Sequence, residues 1–158
     1  MHLTRAADYA VRLMVHLAGR PPGSRQTLSE IAKAVDGPEQ FLSKVLQQLV
    51  RAQLLASHRG GRGGFELALP PAEMSMLRVI EAIDGPTALN ACLGSDGSCE
   101  RHTWCAAHAV WTEAQDAMMR KLRGADLAYL AHESGVRRGF VQRHEIEVSV
   151  PREGEQWT

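Results

Sequence analysis

Apolar positions recur at helical spacing from the start of the chain. Ala10, Leu13, Met14 and Leu17 share one face of a segment that Thr4 opens and that Gly19, Pro21 and Pro22 stop, which predicts a helix over 4–18. After a loop, Thr27-Leu28-Ser29-Glu30 has the form of a capping box, with Leu28, Ile31, Ala32 and Val35 as the buried stripe and Gly37 as the stop. Pro38 then suits a first helical turn, and Leu42, Val45, Leu46 and Leu49 mark a core face through about Ala52. The opposite face carries Gln40, Ser43, Lys44, Gln47 and Arg51. Two short helices joined by a turn at Asp36-Gly37, the second presenting polar side chains, form a helix-turn-helix pattern.

The periodicity then shortens. Leu54 to His58 and Phe65 to Leu69 flank Arg59-Gly60-Gly61-Arg62-Gly63-Gly64, which predicts a hairpin with a basic glycine tip. Pro70 and Pro71 end it, and Met76, Val79, Ile80 and Ile83 predict a fourth helix closed by Gly85 and Pro86. Residues 87–105 have little periodicity and hold every cysteine. Val110, Trp111, Ala114, Met118 and Leu122 then predict a long amphipathic helix over 106–123 whose stripe needs a partner. A shorter helix is expected from about Asp126 to Glu133. The polar remainder from Gly135, with its Ile146, Val148, Val150 alternation, is expected to be mobile or a lone edge strand.

The expected class is therefore mainly α with a small β-hairpin wing. A winged helix-turn-helix domain spans 1–85 with its wing at 54–69, followed by a ligand-binding loop at 86–105, a helical extension at 106–133 and a tail at 134–158. At 158 residues, 44% of them hydrophobic, the chain can build one compact domain with an extension. No apolar run reaches the roughly 18 residues of a membrane span and the amino terminus lacks a secretory signal, so no membrane partner and a cytoplasmic address are expected. The zero net charge conceals a split: residues 1–80 hold ten Lys/Arg against six Asp/Glu, and residues 81–158 hold eight against twelve. A basic first half suits an anionic partner.

B-DNA's major groove admits one helix, and amide, hydroxyl and ammonium groups at successive outward positions can reach base edges. Gln40, Ser43, Lys44 and Gln47 meet that requirement. In the wing, Arg59 and Arg62 supply charge beside glycines that let the backbone approach phosphates. A solvated helix beside a plain glycine turn is the bland alternative, but helix-turn-helix followed directly by a basic wing favours DNA. The glycines lack both the Walker spacing and the strand-to-helix context of a nucleotide site.

Cys92, Cys99 and Cys105 lie within fourteen residues, and His108 follows the last by three. An odd count so closely spaced in an aperiodic loop suggests a shared ligand rather than disulfides or core packing. Thiolates bind iron in sulfide clusters, or zinc, and a helix amino terminus after Cys105 favours an anionic thiolate-bound group. His102 is expected to be an exposed bystander. No orienting third group accompanies the cysteines and histidines, so thiol-based enzymatic chemistry is not expected.

Taken together, Leu3-Thr4 with Tyr9-Ala10-Val11-Arg12, the Phe41-to-Leu49 helix, the Arg59-Gly60 and Gly63-Gly64-Phe65 wing and the three cysteines resemble the Rrf2 family of bacterial regulators over about residues 1–133. Members include the iron-sulfur cluster assembly regulator, the nitric-oxide-sensing repressor and the rhizobial iron regulator. The resemblance implies a homodimer with crossed long helices on palindromic double-stranded operators. It places Gln40, Phe41, Ser43 and Lys44 in the major groove and Arg59 in the minor groove. Ser43 stands where the assembly regulator has a glutamate, so the operator sequence is not inherited. For the fourth ligand the resemblance offers two residues: His108, which would complete a 2Fe-2S site, and Asp8 of the partner subunit, which would complete a 4Fe-4S site.

The expected function is a transcriptional regulator, a repressor, whose operator affinity follows an iron-sulfur cluster sensing nitric oxide, redox state or iron and cluster supply. A zinc-stabilised DNA-binding or partner-binding module is the alternative, because three thiolates and an imidazole also suit tetrahedral zinc.

Overall fold

The computed structural model describes residues 3–61, 63–94 and 99–149, with side chains as far as Arg138. Six helices and one hairpin succeed one another: α1 (Arg5–Ala18), α2 (Leu28–Val35), α3 (Glu39–Arg51), β1 (Leu55–His58), β2 (Gly64–Leu67), α4 (Met76–Asp84), α5 (Ala106–Gly124) and α6 (Leu127–Ser149). Short 3-10 turns precede α4 and interrupt the cysteine loop. No helix among the described residues is long and apolar enough to cross a membrane.

α1 is the hub. Thr4 caps it by accepting the Ala7 amide at 3.2 Å, and the same threonine donates its hydroxyl (2.5 Å) and its amide (3.1 Å) to the Asp84 carboxylate, which ties the start of α1 to the end of α4. Ala7, Ala10, Leu13 and Met14 are fully buried, and α1 touches α2, α3, α4, α6 and β2. Ile31 and Val35 from α2, the Leu42, Val45, Leu46 and Leu49 stripe of α3, and Val79 of α4 close over it. Each such side chain contributes about 1.5–3 kcal/mol by leaving water. In α4 the buried face is Leu77, Val79 and Ile80, while Met76 and Ile83 are half-buried, so the expected stripe is rotated by part of a turn.

The capping box is present in both directions: Thr27 accepts from the Glu30 amide at 3.3 Å and Glu30 accepts from the Thr27 amide at 2.7 Å. The stop differs from expectation. Asp36, at φ 51, takes the left-handed position after α2, a conformation that aspartate tolerates. Gly37 serves a different need, because a Cβ there would stand 2.7 Å from Tyr9 Cε1 and 3.0 Å from Leu42 Cδ1. Its missing side chain lets the turn close against the tyrosine, whose hydroxyl donates to the Asp36 carbonyl at 3.2 Å.

The last helix departs furthest from the sequence reading. α6 does not stop near Glu133 but continues to Ser149, so the stretch from Gly135 is helical where a mobile segment or lone strand was expected. A glycine inside a helix costs only about 1 kcal/mol relative to alanine, and the first residue that enforces an end is Pro151. The start of α6 is fixed by main-chain bonds, Met76 N to Ala125 O at 2.8 Å and Leu127 N to Met74 O at 2.9 Å, and Leu127 is fully buried. The expected tail beyond Ser149 lies outside the described residues.

Gly37→Ala should destabilise the protein by about 1–3 kcal/mol through overpacking against the Tyr9 ring. In a Tyr9→Ala background the same change should cost much less, and urea denaturation of the four proteins in that cycle measures the difference.

Candidate nucleic-acid interface and thiol loop

With one face of α3 committed to the core, its periodicity turns Gln40, Lys44 and Gln47 outward, all exposed, with Ser43 half-buried beside them. Phe41 is placed otherwise. Its ring packs on the core, edge-on to Tyr9 at 5.5 Å between centroids and 71° between planes. The phenylalanine thus braces the outward helix from behind, against the same tyrosine that holds the Asp36-Gly37 turn.

β1 and β2 pair antiparallel, Leu55 with Leu67 and His58 with Gly64, and Arg59 is exposed where the turn begins. Arg62 lies outside the described residues. The wing is anchored by a bridge that sequence periodicity did not suggest: Gln26 N donates to Phe65 O at 3.0 Å, and Phe65 N to Gln26 O at 2.8 Å. Gly64, at φ 147, makes this possible, because a Cβ there would meet the Gln26 carbonyl at 2.6 Å. At least one wing glycine therefore serves the fold.

Glu66 completes the anchor. Its carboxylate accepts from Arg25 Nε at 3.2 Å and lies 2.7 Å from His58 Nε2. The Arg25 hydrogen bond is the main cause that holds this carboxyl below its ordinary value of 4.5; desolvation opposes it and His58 reinforces it. Arg25 and His58 were not singled out in the sequence. Period-two placement puts Glu66 diagonal to His58 across the hairpin, a usable signal, whereas the Arg25 contact spans 41 positions and has none.

The thiol loop sits between α4 and α5. Cys92 lies in a 3-10 turn (Ala91–Leu93), and Cys105 caps α5 with its amide bonded to Arg101 O at 2.9 Å. Leu89 N donates to Gln115 Oε1 at 3.0 Å, which fastens the loop to α5. Cys92, Cys99 and Cys105 are all half-buried free thiols. Among the described residues no three of His, Cys, Asp and Glu are gathered as they would be around a metal ion. His108 is nevertheless set apart: its Nδ1 is buried and has no hydrogen-bond partner among the described residues. His102 is exposed as expected, with Nδ1 2.8 Å from the Cys99 carbonyl and its ring edge-on to His108 at 6.0 Å. Three thiols and a buried imidazole nitrogen lacking a partner are a donor set that suits an iron-sulfur cluster or zinc. Asp8 is exposed on the outer face of α1, paired with Arg12 at 2.9 Å.

The sequence matches the family model described as Rrf2, iron-dependent transcriptional regulator, over residues 3–133. A Mycobacterium tuberculosis protein named an HTH-type transcriptional regulator is 36% identical over 131 residues, covering 83% of this chain and 81% of its own. The HTH-type transcriptional regulator IscR of Aliivibrio salmonicida is 31% identical over 130 residues, covering 82% and 77%. Among solved structures, CymR of B. subtilis, described as the global cysteine regulator, has a TM-score of 0.73 at 24% identity over 84% of this chain and 98% of its own. T. potens IscR has a TM-score of 0.66 at 22% identity over 85% and 88%. At those identities the solved structures establish the shared fold.

Because the folded carboxyl of Glu66 is depressed, its contribution to stability is fully present above 4.5 and is lost as the pH falls through the lower folded value. Urea midpoints of the wild type should therefore drop in acid more steeply than those of Glu66→Gln, and the two should converge at the lowest pH. Parallel curves would show that Glu66 is not held by Arg25 and His58 in solution.

Proposed function

The chain belongs to the Rrf2 family of DNA-binding transcriptional regulators, and from that premise we propose that it is a homodimeric repressor whose operator affinity is set by an iron-sulfur cluster in the thiol loop. The observation that carries the cluster is His108. A buried nitrogen without a partner costs about 1–3 kcal/mol, and three free thiols in the adjoining loop supply the rest of a ligand set. Cys92, Cys99, Cys105 and His108 would hold a 2Fe-2S cluster. Asp8 of the partner subunit is the competing fourth ligand, for a 4Fe-4S cluster, but in this chain the Asp8 carboxylate is engaged by Arg12. When bound, the cluster supplies an iron centre responsive to nitric oxide, oxidants or iron supply.

The protein's own residues account for transmission. Cys105 begins α5 and Leu89 ties the loop to Gln115, so gathering the thiols fixes where α5 starts. α5 has no buried residue, and Val110 and Trp111 are 67% and 43% exposed, an apolar stripe suited to the same helix of a second copy. The crossing of two such helices sets the separation of two α3 helices, and palindromic operators demand one separation. Gln40, Ser43, Lys44 and Gln47 read base edges in the major groove, Arg59 enters the minor groove, and Phe41 acts from behind by bracing α3.

Two experiments test this. Anaerobically purified protein should carry iron, sulfide and visible absorbance, which Cys99→Ala should abolish while changing operator affinity. Of His108→Ala and Asp8→Ala, the variant that loses the cluster names the fourth ligand. Colourless protein with stoichiometric zinc would instead support a zinc-stabilised module. Separately, Arg59→Ala should weaken operator binding and flatten its dependence on salt by about one unit of logarithmic slope in gel-shift titrations, whereas an unchanged slope removes Arg59 from the interface.

A further inference from the structure

A cavity of about 640 Å³ lies away from the cysteines, between α1, the end of α2, the start of α4 and α6. Its volume is in the range of small-molecule sites, roughly 300–1,000 Å³. Val11 and Val15 of α1, Val35 of α2, Met76 of α4 and Leu130 of α6 give it an apolar lining. Its polar groups are concentrated in Arg12, His16, Arg20 and Arg138.

The charges there are unevenly matched. Arg12 is paired with Asp8 at 2.9 Å and lies over the Tyr9 ring. Arg20 reaches a neutral partner: with the Gln26 amide nitrogen donating to His16 Nε2 at 2.6 Å, the Gln26 oxygen accepts from Arg20 Nη2 at 2.8 Å and Nε at 3.1 Å. Glu30 is near enough to feel Arg20, but its carboxylate is taken by Thr27 at both amide and hydroxyl. Among the described residues neither Arg20 nor Arg138 makes an ion pair. Asp36 is the one carboxylate among the described lining residues. Apolar walls with two guanidiniums that make no ion pair among the described residues, one just after α1 and one on α6, suit a carboxylate attached to a short apolar body.

We infer that this cavity is a binding site for a small organic monoanion, an aliphatic carboxylate of a few carbons, distinct from the thiol loop. Val35 and Asp36 run directly into the turn before α3, while Leu130 and Arg138 belong to α6. A ligand touching both ties the position of α6 to that turn, so occupancy shifts operator affinity by its differential contact with the two arrangements. This last step rests on the DNA-binding function proposed above; binding itself does not.

The probe is hexanoate, titrated into the full chain by calorimetry without DNA, with hexanol and hexylammonium as controls. Hexanoate should bind at least tenfold more tightly than either control. Arg20→Gln and Arg138→Gln should each weaken it severalfold, and Ala34→Trp, which fills the lining at an exposed position, should abolish binding while leaving the circular dichroism unchanged. Equal binding of hexanol, no effect of the arginine changes, or no detectable hexanoate binding overturns the site. A shift in sedimentation for Ala34→Trp would overturn it too, by showing that a second copy fills the cavity. Hexanoate binding without any change in a gel shift by wild type that itself binds operator overturns the coupling alone, whereas loss of all operator binding would count against the DNA-binding reading.

Discussion

Ala7, Ala10, Leu13 and Met14 on one face of α1 have no contact with water, and the placement of nearly every other element depends on that buried face. α2, α3, α4, α6 and the wing strand β2 all reach α1, so the helix that opens the chain is the common wall of the domain. A change on this face would move α3, the hairpin and α6 together. Interiors packed to crystal-like density pass displacements on rather than absorbing them.

Tyr9 shows how the outer surface of α1 is used as well. One ring supports the Phe41 edge, donates to the Asp36 carbonyl, carries the Arg12 guanidinium at 5.5 Å and fits the space that Gly37 leaves. The geometry of the helix-turn-helix is thereby set by an aromatic residue outside it. The wing has a comparable arrangement, in which Gln26 and Arg25, from the loop before α2, hold β2 by main-chain and charged hydrogen bonds. α3 and the hairpin are therefore separately fastened to one frame, which keeps their spacing fixed.

Apolar side chains are left uncovered on α5 and on the loop before it. Val110, Trp111 and Trp104 are large, apolar and largely exposed around the loop that bears the thiols. In the proposed regulator, apolar surface near this loop would link cofactor state to association, because both would depend on how α5 begins. The cationic cavity between α1 and α6 would act through α6 and the turn before α3, giving the proposed regulator two inputs that converge on one α1-centred frame.

Local rules were enough for much of this. The capping box at Thr27, the apolar stripes of α1, α2 and α3 and the hairpin flanking Arg59 are legible because each depends on residues near one another in the chain. Tertiary structure alone decided that Phe41 faces Tyr9, that Gln26 and Arg25 anchor the wing, that Gly37 and Gly64 are needed for close approach, and that His108 Nδ1 is buried without a partner among the described residues. Each of these sets residues or segments distant in sequence, or water itself, against one another, and periodicity carries no information about such distances. The run of α6 past Gly135 belongs with them: local propensity there is nearly balanced, and the bonds that seat its first turn on Met74 and Met76 lie fifty residues away.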